Sequence, residues 1–240
     1  MNLNNILIDG QGGDEPHEMH INDGLFDSVP KVEVVFRKTK ERLIEMIDGS
    51  GVIFGCVAWM TDPDILNALS KKCVQIVVQK EDFLRPDHQS RGKLYKMYSK
   101  LGCGLSRQEI SHWKLDTNAG NENADAVRCF GNHNSVKDPA FPRMHHKFAV
   151  FCDSRIEKKT YDNGIGETWT NEVFIFKPKS VWTGSFNFTK NAVNSLENAV
   201  IIHDERIAQK YFDEYLQIFG MSEKLDWESE WVAPEYRIGS

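Results

Sequence analysis

Apolar positions recur with two periods along this chain. From Pro30 onward, Val32–Phe36 alternates as a strand, Thr39–Ile47 sets Leu43, Ile44 and Ile47 on one helical face, and Val52–Trp59 is a continuous apolar run suited to a buried strand. A β-α-β opening is implied. A helix carrying Ile65, Leu66 and Leu69 through Ser70 is predicted next, with Asp62 or Asp64 as its cap, followed by the β-branched run Val74–Val78. Lys93–Leu101 reads as helical, and then the periodicity fades through the polar stretch 102–142. It returns in Lys147–Phe151, Val173–Phe176, Val181–Thr183 and Ala199–Ile202, each short and apolar enough for a core strand. A last helix is predicted over Arg206–Phe219, where Ile207, Tyr211, Tyr215 and Phe219 recur every fourth residue and Gly220 supplies a stop.

Strands alternating with short helices predict an α/β layered sheet in one domain over residues 30–220. Residues 1–29, rich in Asn, Asp and Gly, read as a loose leader, and 221–240 as a tail in which Trp227 and Trp231 mark contact with the body. Two insertions are expected, at about 102–142 and at 154–180, the second a hairpin turning at Asn163-Gly164.

Composition narrows the class. The chain has 240 residues, 40% hydrophobic and 27% charged, as expected of a packed globular protein. No run approaches the roughly 18 apolar residues of a membrane span, the start is polar, and the five scattered cysteines read as thiols of a reducing cytoplasm. A net charge of −6 excludes a protein that grips nucleic acid over its whole surface, so a polyanion would have to be held by a few placed cations and amides.

The densest chemical signal is Met144-His145-His146-Lys147, followed later by Thr183-Gly184-Ser185-Phe186-Asn187. In a strand His145 and Lys147 share one face, with His146 opposite; Ser185 and Asn187 share one face, with Phe186 opposite. Such a set suits a phosphodiester: an imidazole can attack phosphorus or protonate a leaving oxygen, while lysine, amide and hydroxyl hold the other oxygens. It calls for no metal or cofactor. Gly184 would allow backbone to approach a phosphate, and Arg143, Lys190 and Lys179 are flanking cations that could bind the diester chain.

These residues resemble the His-x-Lys and Gly-Ser-x-Asn signature of the phospholipase D superfamily, with Glu197 in the place of the family's acidic partner that orients a catalytic histidine. The resemblance implies a layered α-β-α sandwich with a mixed central sheet. It also implies a phosphohistidine mechanism needing two histidines, so that a chain with one motif works as a homodimer whose site spans the twofold axis. His145, Lys147, Ser185, Asn187 and Glu197 are then the catalytic set. The family's aspartate falls where Cys152 stands, with Asp153 one residue further, so Asp153 is given a supporting place.

Alternatives are weighed beside these. His112-Trp113-Lys114 repeats the spacing without a following Gly-Ser-x-Asn and reads as surface, and Cys103, His112, Cys129 and His133 are a weaker candidate zinc set. Trp182 reads as core. A nuclease on DNA or RNA is the first expectation. A phospholipid phosphodiesterase or transphosphatidylase is the second, and a non-catalytic phosphate-binding component with defence-system partner proteins is the third.

Overall fold

The computed structural model describes residues 7–8, 18–19, 29–80, 91–102, 125–131, 143–225 and 227–228. Near the start, β1 (Leu7–Ile8) and β2 (Glu18–Met19) pair in parallel. The remaining strands are β3 (Lys31–Val35), β4 (Val52–Val57), β5 (Cys73–Gln79), β6 (Val127–Phe130), β7 (Lys147–Asp162), β8 (Thr168–Gly184), β9 (Ala199–His203) and β10 (Glu223–Lys224). They form one mixed sheet in the order β10-β6-β5-β4-β7-β8-β9-β3, parallel between β4, β5 and β6 and antiparallel elsewhere.

Helices cover both faces. On one side α1 (Thr39–Asp48), α2 (Pro63–Leu69) and α3 (Arg91–Tyr98) pack Leu43, Ile47, Ile65, Leu69 and Tyr98 over Ile53, Val57, Ala149 and Phe151. The other side is covered by α5 (Glu205–Met221), which sets Phe212, Tyr215 and Phe219 against Phe54, Phe148 and Val150; the short α4 (Lys190–Val193) precedes β9. Being buried on both faces is why Val52–Val57 is apolar without alternation. The chain is therefore the expected α-β-α sandwich.

Several details differ from the sequence reading. The first predicted strand, β3, lies at the sheet edge beside β9, distant from β4 in the strand order. The predicted Val173–Phe176 and Val181–Thr183 are parts of one strand, β8, which leaves the sheet with β7 as a two-stranded ribbon closing at residues 163–167. A bulge between Phe151 and Cys152 marks the departure, with Lys179 as the extra residue opposite them and Pro178 beside it, where a missing N–H is tolerated. Helix α5 ends at Met221, one residue past Gly220, and Arg128 of β6 donates to its cap, to Ser222 Oγ at 2.7 Å and to the Ser222 carbonyl at 2.5 Å. Of the two caps expected for α2, Asp62 serves, accepting from the Asp64 and Ile65 amides. Trp227 lies 5.3 Å from Tyr95 and 6.1 Å from Tyr98, while Trp231 lies outside the described residues. Cys56, Cys129 and Cys152 are free and buried, whereas Cys73 is disulfide-bonded, a departure from five unlinked thiols.

Candidate active site

Register places the two polar segments side by side. Lys147 opens β7 opposite Val57, and the β7–β8 ladder ends at Phe148 and Thr183, so His145 and Ser185 emerge from neighbouring strand ends at one edge of the sheet. The alternation anticipated from sequence is met on both segments. Phe186 and Phe188 enter the core while Asn187 turns away from it; His146 points toward α5, 3.5 Å from Glu214.

His145 is exposed, and Lys147 is almost fully buried, with its Nζ donating to the His145 carbonyl at 2.7 Å. Partial burial lowers the His145 pKa below its ordinary value, and the charges of Lys147, Arg143 and His146 add to that. Burial also lowers the Lys147 pKa; Glu197 opposes this and Arg143 reinforces it. The surroundings of His145 are thus cationic, with Glu197 as the counter-charge to Lys147. A neutral imidazole beside ammonium and guanidinium groups is the form that can attack an anionic diester.

Ser185 donates its hydroxyl hydrogen to Glu197 and accepts from the Asn198 amide at 3.1 Å, and its own amide donates to the Asn198 carbonyl at 3.1 Å. Glu197 therefore meets the hydroxyl of Ser185 and the field of Lys147 in this chain. Asn187 is 7% exposed, and its Oδ1 has no hydrogen-bond donor among the described residues. A buried acceptor left open costs about 1–3 kcal/mol, a cost that a ligand or a partner group can remove. Gly184 has its own reason to be glycine: a Cβ there would lie 2.8 Å from Ala199 Cα and closer still to the Asn198 carbonyl oxygen. Close approach to β9 demands it, alongside any approach to phosphate.

The remaining candidates divide. Arg143 acts electrostatically on His145 and Lys147 and belongs to the site. Lys190 is exposed at the start of α4, where its charge is felt by Asp64. Asp153 lies eight residues along β7 from His145, roughly 26 Å at strand rise, and pairs with Lys179 at 3.6 Å. Lys179 also pairs with Glu205, so both stand at the ribbon base, away from His145. Cys129 is buried on β6 with its thiol pushed up to about 12 by desolvation; Cys103, His112 and His133, and with them His112-Trp113-Lys114, lie outside the described residues. Among the described residues no group of three or more His, Cys, Asp or Glu could hold a metal.

Two residues escaped the sequence reading. Trp59 stands edge-on to His145, with ring centroids 5.9 Å apart. Buried Gln79 at the end of β5 accepts from the Met144 amide at 2.8 Å, fixing the residue before His145. The signal for Trp59 was available: it ends the apolar run of β4, which pairs with the His-x-Lys strand.

Comparison with known proteins adds four likenesses. Residues 43–219 match the family model described as cardiolipin synthase, PLD-like domain. Protein L381 of Acanthamoeba polyphaga mimivirus, of uncharacterised function, is 29% identical over 213 residues, covering 81% of this chain and 67% of that protein; a phospholipase D of Rickettsia conorii is 34% identical over 91 residues, covering 38% and 42%. Among solved structures, the phospholipase D family member Nuc from Salmonella typhimurium aligns at a TM-score of 0.47 and 19% identity, over 81% of this chain and 97% of its own.

Proposed function

This chain belongs to the phospholipase D superfamily, whose members cleave phosphodiesters, and we propose that it is a metal-independent nuclease acting through a phosphohistidine at a homodimer interface. The observation that supports the reading is that His145 and buried Lys147 stand at the end of β7 beside the end of β8, from which the Ser185–Glu197 pair and the open Asn187 acceptor follow, with Glu197 acting electrostatically on Lys147. In the proposed reaction a neutral His145 ring nitrogen bonds to phosphorus as the P–O bond to the leaving oxygen breaks. The same histidine of a second copy gives that oxygen its proton, then takes one from the water that releases the phosphate. Lys147, Arg143 and the Asn187 amide offset charge on the non-bridging oxygens, and Glu197, held by the Ser185 hydroxyl, is the acidic group that orients a histidine. A cationic cluster around His145 within a chain of net charge −6 suits a polyanionic strand held locally.

A second reading is phospholipid cleavage, favoured by Leu196, 88% exposed beside Glu197, and by the likeness to the rickettsial phospholipase D. Cleavage of labelled DNA and RNA in excess chelator, with phosphatidylcholine vesicles in parallel and native particle mass measured, tests both. Nucleic-acid cleavage by a dimer, abolished by His145→Ala, is expected. Unchanged cleavage in that variant removes the enzyme reading; hydrolysis confined to vesicles selects the second; binding of nucleic acid with turnover of neither leaves a non-catalytic phosphate-binding component.

A further inference from the structure

Trp59 is half-buried at the end of β4, yet neither hydrophobic core includes it or packs it at the margin. Tryptophan is a costly residue to leave outside a core, since its large apolar surface is what usually holds it in place. Here the backbone holds it. The register carries Val57 opposite Lys147, and the Ala58 amide donates to the His146 carbonyl at 2.9 Å, which sets Trp59 directly across from His145. On the other side the Trp59 carbonyl accepts from the Phe188 amide at 3.0 Å, and the Thr61 and Asp62 amides both donate to the Phe188 carbonyl at 2.8 Å. The Trp59 backbone is therefore held between the strand that carries His145 and the segment that carries Asn187.

Its ring meets the imidazole edge-on, 77° between planes and 5.9 Å between centroids. Among the described residues no other ring contacts it. The two rings are close enough for a phosphate at the imidazole and a base on the indole to belong to adjoining parts of one strand. A rigid aromatic face loses little conformational entropy when something stacks on it.

We propose that Trp59 is the stacking platform for the nucleobase adjoining the phosphodiester at His145, and that the substrate is single-stranded nucleic acid. This rests on the nuclease reading and deepens it. Strand state follows from the stack: inside a duplex both faces of a base are covered by neighbouring bases, so a base can lie on Trp59 only when unstacked. Selectivity for sequence is not expected, because every base has a face to offer.

The test compares native chain, Trp59→Ala and Trp59→Phe on three labelled polymers: a single-stranded oligonucleotide, its duplex, and an oligomer of abasic deoxyribose phosphates. Trp59→Ala is expected to raise KM and lower kcat/KM about 5- to 150-fold on the single strand. Trp59→Phe should fall between, and neither should affect the abasic oligomer. Native chain should prefer single strand to duplex, and Trp59→Ala should lose that preference. A binding arm uses the His145→Ala background, in which poly(dT) should quench tryptophan fluorescence and Trp59→Phe should abolish that quenching. Equal losses on base-bearing and abasic polymers would make Trp59 a wall that confines His145 and overturn the proposal, as would no loss on either, or duplex cleaved as fast as single strand. Native chain that cleaves none of the polymers overturns the nuclease reading as well, whereas intact cleavage with an indifferent Trp59 overturns the stacking alone.

Discussion

Alanine at Gly184 would set a methyl group 2.8 Å from the Cα of Ala199, where ordinary contact begins at 3.4 Å, with the Asn198 carbonyl oxygen closer still. Both obstacles are backbone, so no side chain can rotate away, and the end of β8 must separate from the start of β9. Ser185 follows immediately, and its amide and hydroxyl are held by that same Asn198 backbone. The overpacking should cost about 1–3 kcal/mol, which for a chain of this length lowers Tm by about 2–12 °C. The catalytic loss should be larger, on the order of 100-fold in kcat/KM, because a displacement approaching 1 Å spoils positioning out of proportion to stability. Gly164→Ala is the control: its φ of 78° makes alanine strained, with nothing within 4 Å to strike. It should cost a similar 1–2 kcal/mol or so with native turnover. Thermal melting and oligonucleotide cleavage on both variants decide the matter. Native kcat/KM in Gly184→Ala, or a parallel loss in Gly164→Ala, would refute the argument.

Two more outcomes follow from charge. Arg143→Gln removes a cation that disfavours protonated His145, so the His145 pKa should rise and the acidic limb of the kcat/KM profile move to higher pH; a limb that stays put would detach that titration from His145. Glu223→Gln takes the carboxylate from fully buried Lys80 and should cost about 3–5 kcal/mol, or about 6–20 °C in Tm, whereas replacing both residues by apolar ones should cost less; equal losses in urea titrations would contradict a paired burial.

Elements with strong periodicity were legible: the α1 stripe of Leu43 and Ile47, the continuous run of β4 and the four-residue recurrence in α5 all form as read. The parallel strand β6 was not, because Val127–Phe130 is four residues long, includes Arg128, and owes its burial to β5 and β10 rather than to any pattern of its own. Gly220 marked the end of α5 to within one residue, but the contact of Arg128 with Ser222 just beyond it, 94 residues apart in sequence, was not legible. At the site, the two polar segments adjoin because β7 and β8 are paired, a neighbourhood that the spacing within each segment does not contain. Partnerships were hidden: that Ser185 would take Glu197, that Gly184 answers to Asn198, and that Trp59 would face His145 all depend on which strands become neighbours.

The ribbon formed by β7 and β8 ties evolution of its length to a parity rule. Its arms are the outward continuations of the two strands that end at His145 and Ser185, and side chains alternate along them without interruption from the bulge to the turn. Removing one residue from a single arm would reverse which side chains face each way up to the next irregularity, while removing one from each arm trims the reach by about 3.4 Å and reverses nothing nearer the sheet. Shorter or longer relatives of this projection should therefore differ by matched steps on the two arms, with the bulge at Lys179 as the fixed hinge from which those steps are counted.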